Sequence, residues 1–258
     1  MSKHEHTFVD PVPAPSLSQQ IESAKTPNAP GVFITFEGGE GAGKSTHIGF
    51  LARVLEERGY EVVRLREPGG TEIGETLRSV VLDVKNDQMT DECELLVYEA
   101  ARAQIVHEVI RPALQRGAVV LCDRFYDSTI AYQAYGRGLD REFVRQCNHF
   151  ACKGVHPDRT ILMCTGGSTE EGLERATHRV GADRLELAGE DFHARVNEGF
   201  LKIQEQDPQR VRLVVSDQAK SVTSRRVFDQ LADLFPWMAS EEECPQRLFA
   251  SLDVKKVQ

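Results

Sequence analysis

The sequence predicts a three-layer α/β fold, a five-stranded parallel sheet flanked by helices, and three observations carry that expectation. Short β-rich runs alternate with longer helical patterns along the chain. Those runs are almost continuously apolar, as strands covered on both faces are. The first of them leads into "EGGEGAGKST", a glycine-rich turn that opens a helical pattern.

The strands are expected at residues 31–36 (GVFITF), 60–65 (YEVVRL), 118–122 (AVVLC), 159–163 (RTILM) and 211–215 (VRLVV). After the first strand, Ile48, Leu51, Val54 and Leu55 recur at helical spacing until Gly59 stops the helix. Residues 1–30 hold five prolines among polar residues and show no helical or strand period, which predicts a disordered extension. The folded domain is expected over 31–237. Residues 238–258 form a C-terminal tail, in which "RLFASL" can make one docking helical turn.

A chain of 258 residues, 40% of them hydrophobic, is long enough to bury a substantial core. Its 31 basic and 40 acidic residues leave a net charge of −9, which argues against coating a nucleic-acid duplex. No apolar run approaches the ~20 residues that span a bilayer. Neither nucleic acid nor membrane is therefore an expected partner. Six scattered cysteines, with no signal-peptide pattern before Gly31, predict reduced thiols and a cytoplasmic protein.

Gly38, four residues, then Gly43-Lys44-Ser45 is the P-loop spacing, placed after a strand and at the start of a helix as that motif requires. The stretch Gly38, Gly39, Glu40, Gly41, Ala42, Gly43, Lys44, Ser45 and Thr46 is the expected binding loop for a nucleoside triphosphate. Glycines let backbone N–H groups converge on phosphate oxygens, and the helix N-terminus adds positive potential. Lys44 is expected to reach the β/γ-phosphates and Ser45 to ligate Mg²⁺.

The base-reading Asn-Lys-x-Asp and Asp-x-x-Gly strings of GTPases do not occur, nor does the Leu-Ser-Gly-Gly string of transporter-type ATPases. Transfer to a small acceptor is favoured over hydrolysis. The third strand runs into "LCDRFYDSTIAYQ", which puts Asp123 and Arg124 at a strand's carboxyl end, where open α/β sheets bind ligands. Asp123 suits the Mg²⁺ shell and Arg124 suits phosphate oxygens; a structural ion pair is the competing reading.

Several motifs in order, "FEGGEGAGKST", "REPGGTEIGETLRSVVLD", "LLVYEAARAQ", "DRFYDSTIAYQAYGRGLD" and "HPDRTILM", resemble the thymidylate kinase family, in its bacterial form. The resemblance runs from about Gly31 to Trp237. It implies transfer of a phosphoryl group from ATP to dTMP with Mg²⁺, and a homodimer. By position it implies that Tyr98 stacks on thymine and that Arg102, one helical turn on, hydrogen-bonds the base. The two lie on one helical face in any case, and a core tyrosine beside a solvated arginine is the alternative.

The same resemblance puts Arg66 and Arg78 near the acceptor phosphate, and Glu67 and Pro68 at the start of the acceptor loop. Ser128, Thr129 and Gln133 fall where the family reads the thymine edge. Tyr132 falls where a ring crowds a ribose 2′-hydroxyl, or simply packs. Glu40 resembles the family's loop acid.

Because the loop itself holds no arginine, another segment must supply cationic charge to the migrating phosphoryl group. "ERATHRVGADRLE", with Arg175, Arg179 and Arg184, resembles the family's lid, at about 174–188, and Arg179 and Arg184 are the leading pair for catalysis. A solvated loop is the competing reading, and Cys164 with Gly166-Gly167 departs from the family pattern just before it. Two other functions remain at this stage: a related nucleotide or nucleoside kinase with another acceptor, and a catalytically silent nucleotide-binding protein.

Overall fold

The computed structural model describes residues 30–39, 41–165 and 183–253. Five strands, β1 (Val32–Glu37), β2 (Val62–Arg66), β3 (Val119–Asp123), β4 (Arg159–Cys164) and β5 (Val211–Val215), form one sheet in the order β2-β3-β1-β4-β5. Every neighbouring pair is parallel. The observed strands match the expected ones to within two residues.

Helices connect them: α1 (Lys44–Glu57), α2 (Glu72–Leu82), α3 (Asp91–Ile105), α4 (Arg111–Gln115), α5 (Tyr126–Thr129), α6 (Arg141–Cys152), α7 (Glu190–Gln206) and α8 (Lys220–Asp229). Several of their ends are written locally. Thr71 caps α2 by accepting from the Gly74 N–H at 2.9 Å, and Asp140 caps α6 by accepting from Phe143 N–H at 2.8 Å. Gly59, at φ 85°, ends α1 as its glycine predicts. Two π-helical turns, Val106–Ile110 and Ile130–Gly136, were not foreseeable from composition.

Alternation along β1 divides the core into two layers. Phe33 points into a cluster with Leu95 and Ile105 of α3, Phe192 and Phe200 of α7, and Phe125 at the start of α5. Ile34 and Phe36 point the other way, to Phe50, Leu51 and Phe228 on α1 and α8. Phe33 and Phe36 are both fully buried, and burying such a side chain contributes about 1.5–3 kcal/mol.

The expected docking turn is present as a short 3₁₀ helix, Gln246–Leu252. Its Phe249, with Met238 and Cys244, is buried in the second cluster. The boundary expected at 237 therefore separates no detached tail within the described residues. Residues 1–29, the bulk of the expected extension, lie outside them.

Candidate active site

The glycine loop leaves β1, the middle strand, at its carboxyl end. At Gly38, φ is 125° and a Cβ would meet the Met163 carbonyl oxygen of β4 at 2.0 Å, so only glycine fits. Gly43, at φ 90°, is the N-cap of α1 and brings no side chain to the helix N-terminus, an end whose free N–H groups suit an anion. Lys44 is buried, and its Nζ donates to the Gly38 and Gly39 carbonyls at 3.1 and 3.0 Å. The ammonium is thereby folded against the loop.

Parallel pairing puts Asp123, the last residue of β3, level with Phe36 of β1 and Arg66 of β2. Ser45 Oγ donates to Asp123 Oδ2 at 3.1 Å. A hydroxyl and a carboxylate so close suit a hard cation that takes its other oxygens from phosphate and water. Among the described residues, no three His, Cys, Asp or Glu side chains gather into a separate metal cage.

Arg124 follows at φ 71°, a left-handed backbone rare for a side chain of its size and of the kind that clusters at functional sites. Its Nη1 donates to Ser128 Oγ at 3.1 Å, and its guanidinium lies 5.1 Å from the centre of the Tyr132 ring. Glu37, fully buried at the end of β1, accepts from Phe125 N–H at 2.7 Å and from Ser128 Oγ at 2.6 Å. Burial, reinforced by Asp127, pushes its carboxyl up to about 7, although Arg124 and these hydrogen bonds oppose the rise. Glu37 thus ties β1 to the segment that carries Arg124, a role the sequence did not announce.

A cavity of about 610 Å³ joins this centre to a second wall. Arg66 and Arg78 both donate to the Pro68 carbonyl, at 3.1 and 2.9 Å, and both line the cavity. Burial and then the neighbouring Arg66 lower the Arg78 pKa from its ordinary value. Two guanidinium groups set side by side suit an anionic group. Tyr98, Ser128, Thr129, Tyr132 and Gln133 line the same cavity.

Arg102 differs from the expectation of a base-reading side chain. It lines the cavity but is 1% exposed, and its donors go to protein groups: Glu67, Glu99, Thr129 and Asn148. One guanidinium cannot neutralise two buried carboxylates. Burial pushes both up, Glu67 to about 7, though Arg102 opposes the rise in each. For Arg102 burial works in the opposite direction, yet Glu67 and Glu99 outweigh it and keep the guanidinium cationic. Its placement makes it the brace of the wall: it holds Glu67 and the Thr129 hydroxyl.

Arg184 also departs from expectation. Its Nη2 is bound to Glu94 of α3 and its Nε donates to the Val81 carbonyl of α2 at 3.1 Å, so the side chain is engaged with those two helices. Glu94 is a fully buried carboxylate, and an uncompensated buried charge is costly. Burial would raise its pKa, but hydrogen bonds from Arg137 and Gln133, with the charges of Arg137 and Arg184, hold it below the ordinary range. Glu40, Arg175 and Arg179 lie outside the described residues.

The cavity has a third side that sequence reasoning missed. Ser216, Gln218 and Lys220, just past β5, line it together with His47 of α1. The one available signal was their place after a strand's carboxyl end.

The thymidylate kinase family model matches residues 36–226. A thymidylate kinase from Pelobacter propionicus is 49% identical over 186 residues, which cover 70% of this chain and 84% of that one. One from Trichlorobacter lovleyi is 43% identical over 212 residues, covering 78% of this chain and 99% of the other. A crystal structure of a thymidylate kinase from Ehrlichia chaffeensis, 31% identical, superposes with a TM-score of 0.64 over 78% of this chain and 98% of its own. The matched span holds the glycine loop, the Asp123–Arg124 corner and the second wall together, and the chain belongs to the thymidylate kinase family.

Proposed function

We propose that the two walls of the cavity hold ATP and dTMP end to end, and that the γ-phosphoryl passes directly between them, in line, without a phosphoenzyme. The reaction of the family, and of this chain, is ATP plus dTMP giving ADP plus dTDP. The observation that carries this reading is the Ser45–Asp123 contact at 3.1 Å, at the junction of loop and acceptor wall.

Residues Gly38–Thr46 cradle the donor phosphates, with Lys44 leaving its loop carbonyls for the β/γ-oxygens. Ser45 and Asp123 would hold Mg²⁺, which supplies charge neutralisation at those oxygens when bound. Arg124 supplies cationic charge from the opposite side, where a planar fork matches a phosphoryl group. Arg66 and Arg78 take the dTMP phosphate, and Tyr98 and Gln133 bound its base. Tyr132, which lines the cavity, would crowd a ribose 2′-hydroxyl. The donor nucleoside then lies toward His47, Ser216, Gln218 and Lys220, away from the acceptor.

Arg179 is assigned as the lid cation, and Arg184 anchors the lid to Glu94. Catalysis in such a site is mostly positioning and charge neutralisation. Two copies of the chain pair through α2, α3 and α6: these helices pack side by side and expose Ile73, Val80, Leu96, Phe143 and Phe150. All six cysteines are free thiols, which suits a reducing cytoplasm. Among the described residues no helix is long and apolar enough to cross a membrane.

The test is ADP release measured with dTMP, dUMP, dCMP, dGMP and thymidine as acceptors, for the wild type and Lys44→Ala. Turnover should depend on dTMP and collapse in the variant while its circular dichroism is unchanged. Turnover without acceptor dependence would make the protein a simple ATPase.

A further inference from the structure

Helix α8 begins at Lys220, directly behind the cavity side formed by Ser216 and Gln218, and it begins badly. Its N-cap residue is Ala219, which has no side-chain group to accept a hydrogen bond from the first turn. The missing acceptor comes from 32 residues further on: Asp253 Oδ1 accepts from the Ser221 N–H at 3.1 Å. Hydrogen bonds from the Ser221 hydroxyl and N–H, and from the Lys220 N–H, hold the Asp253 carboxyl below its ordinary range. A carboxylate at this end of the helix also meets favourable dipole potential.

The segment that delivers Asp253 is anchored. Phe249, fully buried, packs at 5.5 Å from the Phe50 ring of α1 and 5.0 Å from the Phe228 ring of α8. Arg225 of α8 donates to the Cys244 carbonyl at 3.0 Å. On the inner side of α8, Ser224 Oγ is 2.6 Å from His47 Nδ1, and His47 lines the cavity. The whole segment lies beyond residue 226, where the family match ends.

We propose that the C-terminal segment Cys244–Asp253 is a clamp on the donor side of the active site, with Asp253 as a positioning residue that caps α8 and fixes the Ser216–Lys220 wall against the ATP nucleoside. The clamp rests on the reading that places the donor nucleoside at that wall. Asp253 touches no substrate. Its effect is to reduce the freedom of the loop before α8, so that donor binding orders less chain.

The experiment compares Asp253→Ala, Asp253→Asn and Gln218→Ala with the wild type in the full-length chain, reading KM for ATP, KM for dTMP, the ADP dissociation constant by calorimetry, and Tm. Asp253→Ala should raise the ATP KM and the ADP dissociation constant about fivefold, and leave the dTMP KM within twofold. Asparagine, itself a good cap, should restore most of the loss. A KM for ATP unchanged in Asp253→Ala while Gln218→Ala weakens ATP overturns the clamp alone. If Gln218→Ala also leaves ATP binding intact, the donor wall itself is misplaced and the clamp falls with it. Equal weakening of ATP and dTMP, tracking a fall in Tm, would make the segment a general stabiliser and overturn its positioning role.

Discussion

Arg102 directs two of its N–H groups, Nε and Nη2, at a single oxygen of Glu67, at 2.9 and 2.7 Å, with both side chains almost wholly buried. The other Glu67 oxygen has no hydrogen-bond partner among the described residues. The arrangement leaves room on Glu67 for a proton and makes the arginine indispensable to the wall. Arg102→Ala strands two buried carboxylates and should cost about 3–5 kcal/mol of stability. Urea unfolding checks the magnitude, and steady-state kinetics should show the dTMP KM rising more than the ATP KM. Full stability in the alanine variant would contradict the brace.

Glu37 gives stability a pH dependence with a defined sign. Its carboxyl titrates near 4.5 when unfolded and near about 7 when folded. Between those values the folded protein keeps a proton that the unfolded chain has released. Its contribution is therefore complete below about pH 4.5 and is lost as pH rises to about 7, on the order of 3 kcal/mol across the window. Glu67 acts in the same direction. Glu37→Gln cannot titrate, so the pH profile of its unfolding free energy should be flatter than that of the wild type over pH 4.5–7. Parallel profiles would show that Glu37 is ionised throughout.

Gly38→Ala tests the loop geometry. The added methyl would need the space of the Met163 carbonyl, 2.0 Å away, at a φ of 125° that alanine avoids. Either the loop or β4 must shift. ATP affinity should fall at least about tenfold, roughly 1.4 kcal/mol, and Tm should drop. Isothermal titration with ADP and a thermal melt give the two numbers. Unchanged ADP affinity would mean that the loop does not need the close turn.

Arg179 and Arg184 should separate kinetically. Arg184→Ala removes a cation from buried Glu94, so Tm should fall and the dTMP KM should rise. Arg179→Ala should instead cut kcat at least about tenfold, roughly 1.4 kcal/mol of barrier, with little change in either KM, because charge acting only in the transition state appears in kcat. The reverse pattern would exchange the two roles.

The strands and the phosphate loop were legible because burial on both faces and a glycine-dependent turn each constrain composition locally. β2, at the sheet's edge and only partly buried, was placed two residues early at its start for the same reason. That the residues of the second wall share one cavity was legible, but not how they bond. Whether Arg102 reads a base or braces a wall depends on Glu67, 35 residues before it, and Asn148, 46 after it. No local period encodes such pairs. The π-helical turn Ile130–Gly136, which presents Tyr132 and Gln133, likewise has no compositional mark. Ser216, Gln218 and Lys220 went unread because their loop carries neither glycines nor a charge cluster.

The strand order places β1 between β3 and β4, with the proposed acceptor wall on the β2–β3 side and the proposed donor wall beyond β5. Substitutions in the two walls have β1 and β4 between them, and changes at sites well separated and without shared partners combine almost additively. A lineage built on this sheet can thus exchange its acceptor while keeping its donor, or retune its donor through a C-terminal appendix, without reopening the other half of the problem. Selection is able to treat the two substrates as separate traits because the central strand keeps them apart.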